Sequence, residues 1–175
     1  MKRGLLLAAL LFSVSGFAAD TISEETPPTS CGNRLVVGIT CKGSYCDNIT
    51  PICGNAIHDI YDIRWSHFVS EEGSAVAKCN VTNPFERGDW PEGEPAFITG
   101  FSCKGSYCDN VALECVALKD AFPESLGGNS CRWTGWISEE RQTLRFPLGF
   151  AAIKMQCRGE YCDDKRFLVC PIRPR

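Results

Sequence analysis

Short apolar runs of strand length, each broken by the same small polar cluster, recur along the chain. Leu35-Val36-Val37-Gly38-Ile39-Thr40-Cys41 is rich in β-branched residues, and Ala96 to Cys103 matches it through Gly100-Phe101-Ser102. Ile49 to Cys53, Val111 to Leu118 and Lys165 to Cys170 read as the strands that follow. Between the two runs, Lys-Gly-Ser or Arg-Gly-Glu supplies turn residues, which makes each pair a strand–loop–strand hairpin. Ala112 to Phe122 has weak helical potential, but Cys115 and the β-branched residue before it favour a strand. The chain reads as all-β.

The hairpins are copies of one another. Cys41-Lys42-Gly43-Ser44-Tyr45-Cys46-Asp47-Asn48 recurs letter for letter from Cys103 to Asn110, and a third copy runs Cys157-Arg158-Gly159-Glu160-Tyr161-Cys162-Asp163-Asp164. Each is followed by an apolar run that ends in cysteine, at Cys53, Cys115 and Cys170. A fainter signature opens each unit: Ile22-Ser23-Glu24-Glu25, Val69-Ser70-Glu71-Glu72 and Ile137-Ser138-Glu139-Glu140. Arg64-Trp65 and Arg132-Trp133 precede the last two, with Phe68 and Trp136 three residues beyond each tryptophan. The first unit lacks this Trp segment. Repeats of this kind stack as structural units, here at about 20–53, 63–115 and 131–170 within one domain, 19–175. The second unit carries an insertion, about Asn80 to Pro95.

Composition then fixes the compartment. Twelve cysteines in 175 residues point to an oxidising environment. Each unit owns four. Cysteines separated by four residues can bridge across a bent loop, which predicts Cys41–Cys46, Cys103–Cys108 and Cys157–Cys162. Repeat symmetry removes most alternatives for the rest, leaving Cys31–Cys53, Cys79–Cys115 and Cys131–Cys170. Met1-Lys2-Arg3, the apolar Leu5 to Val14 and the small residues around Ala18 form a secretory signal peptide over 1–18, cut after Ala18 or Ala19. Its loss removes two of the 18 basic side chains and takes the net charge from −3 to −5. An acidic chain does not suit nucleic acid, and no later stretch is apolar enough to span a membrane as a helix.

Three copies of a unit with W-x-x-W or W-x-x-F, then G-(I/F)-x-C, then D-N-(I/V) and a closing cysteine, resemble the vitelline membrane outer-layer protein family. The matching residues are Trp133 and Trp136, Gly38-Ile39 and Gly100-Phe101, Asp47-Asn48-Ile49 and Asp109-Asn110-Val111. The likeness covers nearly the whole mature chain, although Lys154-Met155 stands where the third unit should have Gly-Ile. It implies a β-prism of three pseudo-symmetric, Greek-key-like repeats and a binding role, without a catalytic site. The cassette also resembles exported bacterial proteins that repeat CxGxYCDN.

Candidate chemistry is sparse. The pairs Asp47-Asn48, Asp109-Asn110 and Asp163-Asp164 have the composition of calcium or sugar ligands, but recurrence in every unit favours a loop cap followed by a strand start. One cassette also offers calcium too few oxygens, and cysteines in an exported chain bridge rather than hold zinc. No metal or cofactor is expected. His58 and His67 lie between the first two units, and His58-Asp59 with Asp62 is the nearest approach to an acid–base group. The Glu pairs of the Ser-Glu-Glu triplets, Glu139 among them, read as strand ends or turns rather than glycosidase carboxylates. Trp65, Trp133 and Trp136 occupy repeat positions and are expected in the core. The least symmetric feature is the insertion, which places Phe85, Arg87, Asp89, Trp90 and Glu92 on a Pro/Gly-stiffened loop suited to an interface anchor. The expectation is a monomeric, non-catalytic periplasmic or secreted protein. It would bind a toxin or enzyme as an inhibitor or immunity protein does; the alternative is a lectin-like module for envelope or extracellular polysaccharide.

Overall fold

The computed structural model describes residues 21–23, 28–57, 59–70, 76–81, 94–124, 130–139 and 143–174. The first unit supplies β1 (Thr29–Ser30), β2 (Arg34–Lys42) and β3 (Asn48–Ala56). The next segment supplies β4 (Ile60–Trp65), β5 (Val76–Lys78), β6 (Asn80–Val81), β7 (Glu94–Pro95), β8 (Phe97–Lys104) and β9 (Asn110–Leu118). The remainder holds β10 (Ala121–Pro123), β11 (Arg132–Trp133), β12 (Thr143–Arg145), β13 (Phe150–Arg158) and β14 (Asp164–Pro174). Helical geometry among the described residues is confined to three short 3-10 turns, one in each cassette. The fold is all-β, and the hairpins β2–β3, β8–β9 and β13–β14 fall where the repeated apolar runs place them.

The sheets do not coincide with the sequence units. β12 of the third unit pairs with β2, β1 of the first with β8, and β5 of the second with β13. Each hairpin is thus completed by a strand from another unit, and the exchange runs in a closed circle. The contact falls at one repeat position, with Arg145 opposite Gly38, Ser30 opposite Gly100 and Lys78 opposite Lys154. Two of these positions are glycine for a steric reason. A Cβ on Gly38 would lie 2.5 Å from the Leu144 carbonyl oxygen, and one on Gly100 the same distance from that of Thr29. A register shift immediately precedes the position in all three hairpins, between Val36 and Gly38, Ile98 and Gly100, and Ala152 and Lys154. Such bulges bend a strand and increase its twist.

The Trp-bearing segments close the other side of two hairpins. β4 pairs with β9 and β11 with β14, and beyond them Val69 bridges Val111 and Ile137 bridges Lys165. Just after the strand, the Ser66 Oγ accepts the backbone N–H of Leu113 at 2.9 Å, and the Thr134 Oγ1 that of Phe167 at 3.0 Å. In the first unit the bridge survives, as Ile22 with Ile49, but no described strand covers β3 beyond it. The residue in register with Leu113 and Phe167 there is Pro51, which has no N–H to leave unpaired. Pro51 is itself buried, so an N–H there would be out of reach of water as well.

The core is built from the inward positions of all three hairpins, with Ile39, Phe101 and Met155 before the cassettes and Ile49, Val111, Leu113 and Phe167 after them fully buried. Phe167 packs edge-on against Phe101 and tilted against Phe146, at 6.1 and 5.6 Å between ring centres. A second buried group, Leu35, Phe97, Val116 and Ile153, lies toward the other end of the strands. All twelve cysteines pair as the repeat symmetry predicts: Cys31–Cys53, Cys79–Cys115 and Cys131–Cys170 join distant parts of their units, and three short bridges close the cassettes.

Two outcomes follow. The stabilisation by a bridge grows with the loop that it closes, so replacing Cys131 and Cys170 (39 apart) with alanine should cost about 4 kcal/mol, against about 2 for Cys41 and Cys46 (5 apart), in urea unfolding. The reverse order would contradict the chain-entropy account. Pro51→Thr restores a backbone N–H at a buried position where no described strand accepts it, and should lower stability by about 1–3 kcal/mol in urea unfolding; an unchanged midpoint would show that the donor finds a partner.

Candidate functional site

The three cassette turns meet at one end of the molecule. In each, a glycine with φ near +80° is followed two and three residues on by a tyrosine and a cysteine that are also left-handed, at φ 59° and 55° for Tyr45 and Cys46. Left-handed backbone in non-glycine residues costs roughly 1–2 kcal/mol each, so six such residues need strong compensation. The short disulfides supply part of it, with Cα–Cα distances of 5.0, 5.1 and 5.0 Å. The tyrosines supply more: Tyr45, Tyr107 and Tyr161 form a closed triangle with ring centres 5.1–5.2 Å apart. Aromatic pairs of this geometry are worth roughly 0.5–1.5 kcal/mol each beyond burial. The Glu139 carboxylate of the third unit accepts the Tyr45 backbone N–H of the first at 2.9 Å.

The repeated aspartates serve these turns. A Cβ on Gly43, Gly105 or Gly159 would sit about 2.0 Å from Oδ1 of Asp47, Asp109 or Asp163 respectively, so the carboxylate occupies the space that the glycine vacates. Asp47 and Asp109 accept the side-chain N–H of Asn48 and Asn110 at 2.6 Å, and Asp163 the backbone N–H of Asp164 at 2.7 Å. The following residue begins β3, β9 and β14. These carboxylates are committed to their own loops.

Lys165 is the asymmetric member of this end, and sequence reading passed over it. It stands in register with Ile49 and Val111, the inward positions of the other units, and its side chain is fully buried. Its Nζ donates to the carbonyl oxygens of Cys162 at 2.5 Å and Cys46 at 3.3 Å, tying the third turn to the first. Burial drives its pKa down from 10.5 to about 8, partly opposed by the charges of Asp163, Asp47 and Asp164. The signal was present in the cassette alignment, as a lysine where the sibling repeats have isoleucine and valine.

A different arrangement lies along the Trp segments. Trp65 and Trp133 are not core residues: they are 44% and 37% exposed, and Trp136 is half-buried. The expectation of burial fails because Trp65 and Trp133 ride on strands that cover the hairpin edges, and cations stack on the aromatic rings of these segments. The Lys104 ammonium lies 4.0 Å from the centre of the Phe68 ring, and at the matching place in the third unit the Arg158 guanidinium lies 4.1 Å from that of Trp136. The third unit extends this pair into a ladder, because Arg166 stands 4.5 Å from the Trp136 ring and 4.8 Å from that of Trp133. The Nε of Arg158 pairs with Asp164 and that of Arg166 with Gln156, both at 2.8 Å.

Most of the other candidate residues fall outside the described part of the chain. Phe85, Arg87, Asp89, Trp90 and Glu92 lie outside the described residues; the ends of their insertion are held by β6 on β7, Asn80 opposite Pro95 and Val81 opposite Glu94. His58 also lies outside them. His67 is exposed, and Asp62 approaches Arg64 at 2.8 Å. Among the described residues no group of three or more His, Cys, Asp or Glu side chains is placed to hold a metal ion, and no helix is long and apolar enough to cross a membrane. Comparison with protein-family models, with curated proteins and with solved structures yields no match.

Lys165 yields a pH prediction. Its folded pKa lies below its unfolded one, so burying the charged form opposes folding below about pH 8, and stability rises as pH climbs from 8 toward 10.5. The gain is on the order of 3 kcal/mol. Denaturation at several pH values should show this slope in the native protein and lose it in Lys165→Met; an unchanged slope would assign it to another group.

Proposed function

We propose that this chain is a non-catalytic exported protein that binds and neutralises another protein, in the manner of a periplasmic inhibitor or immunity protein. The observation that carries this reading is the setting of the aromatic side chains of the Trp segments, three of them exposed and Trp136 half-buried. Trp65, Phe68, Trp133 and Trp136 ride on hairpins stapled by six disulfides and closed by circular strand exchange, so they are held in place before any partner arrives. Preorganisation lowers the entropy lost on binding, and tryptophan and arginine dominate the energetics of protein interfaces. Twelve bridged cysteines support export to an oxidising compartment, with the signal peptide over 1–18 as the vehicle.

The finer architecture is proposed with it: a β-prism of three pseudo-symmetric repeats acting as a monomer, as the resemblance to the vitelline membrane outer-layer proteins implies. The circular exchange of β1, β5 and β12 supports that arrangement. The lectin reading is weaker. It needs a sugar site in each unit, and the repeated Asp-Asn pairs that would supply one are turned to their own loops.

A pull-down tests the reading. Oxidised mature protein on beads should retain one protein in stoichiometric amount from extracts of its own cells, indifferent to added envelope glycan; release by glycan would favour the lectin. The insertion is proposed as a second anchor, and Trp90→Ala should then weaken capture at least tenfold without changing the melting temperature, a loss of about 1.4 kcal/mol or more.

A further inference from the structure

We infer that the ladder Trp133–Arg166–Trp136–Arg158 is a docking surface for a carboxylate-rich segment of the protein partner. This inference rests on the inhibitor reading and names the chemistry of that partner. Both guanidiniums are fixed in place, by stacking on tryptophan and by the Nε contacts to Asp164 and Gln156. Their terminal nitrogens make no hydrogen bond to any described residue. A stacked guanidinium keeps its in-plane N–H donors available, and these fit a carboxylate fork in a way that an ammonium does not.

Charge distribution points the same way. Residues 131–175 carry nine basic and five acidic side chains, whereas residues 19–130 carry seven basic and sixteen acidic. The ladder therefore belongs to the basic stretch of an otherwise acidic chain, a charge balance that favours an acidic partner segment there over other parts of the chain. Neither sibling unit repeats the ladder. Position 166 is Ala112 in the second unit, and the first lacks the Trp segment. A stacked sugar is the poorer occupant, because arginines already lie over the indole faces that it would use.

The test uses the oxidised mature protein with three probes, hexaglutamate, hexaglutamine and oligogalacturonate, read by calorimetry and by tryptophan fluorescence at low salt. Hexaglutamate should bind in preference to both others and weaken at least tenfold in Arg158→Gln/Arg166→Gln, whose fold is checked by circular dichroism. Lys104→Gln, on the sibling unit, should bind as the native protein does. Absence of hexaglutamate binding, or binding indifferent to the double substitution, overturns the inference. Preference for oligogalacturonate that is lost in the double variant overturns it too, by assigning the ladder to an acidic glycan. Capture of the cellular partner undiminished by the double substitution keeps the inhibitor reading and removes the ladder from it.

Discussion

Everything in this molecule depends on a strained turn made three times over. Each cassette forces a tyrosine and a cysteine into left-handed backbone, a conformation that no isolated six-residue loop of this sequence would hold. The short bridge restricts the loop, the aspartate fills the space beside the glycine, and the three tyrosines then complete one another's packing. The turn is stable because its siblings are present. Units that need each other locally are further joined by strand exchange, which shares each sheet between two units.

The same mutual dependence explains where symmetry is broken. At the inward position after each cassette two units bury an aliphatic side chain and the third a lysine, which is tolerated because carbonyl oxygens of two different turns receive its ammonium. The arrangement trades apolar packing for a charged tie between units, and its stability follows pH for that reason. The first unit lacks the Trp motif and no described strand covers β3, and there Pro51 removes the N–H that such a strand would accept. Both departures fit the repeat around them, one by satisfying a charge and the other by removing a donor.

The proposed binding chemistry lies along the Trp segments rather than in the repeated turns. Residues that recur in every unit, the Asp-Asn pairs above all, are consumed by the turns that they build. The residues proposed to meet a partner are the additions: the arginine that lengthens a simple cation–aromatic pair into a ladder, and the insertion bounded by β6 and β7.

The sequence by itself determined the hairpins, their turns, the strand starts at Asn48, Asn110 and Asp164 and the pairing of all twelve cysteines. These rest on local interactions, whose partners lie within one hairpin or one unit and recur with the motif. Only the tertiary structure decided which strand completes which sheet, because β1, β5 and β12 are short segments whose pairing is settled by backbone far away in the chain. It likewise decided burial. Trp133 and Lys165 each contradict the ordinary preference of their residue type, the one held outside by stacked arginine and the other inside by carbonyls of another unit. Side-chain type predicts burial only when solvent is the alternative. Here the alternative was a partner that the fold alone could bring.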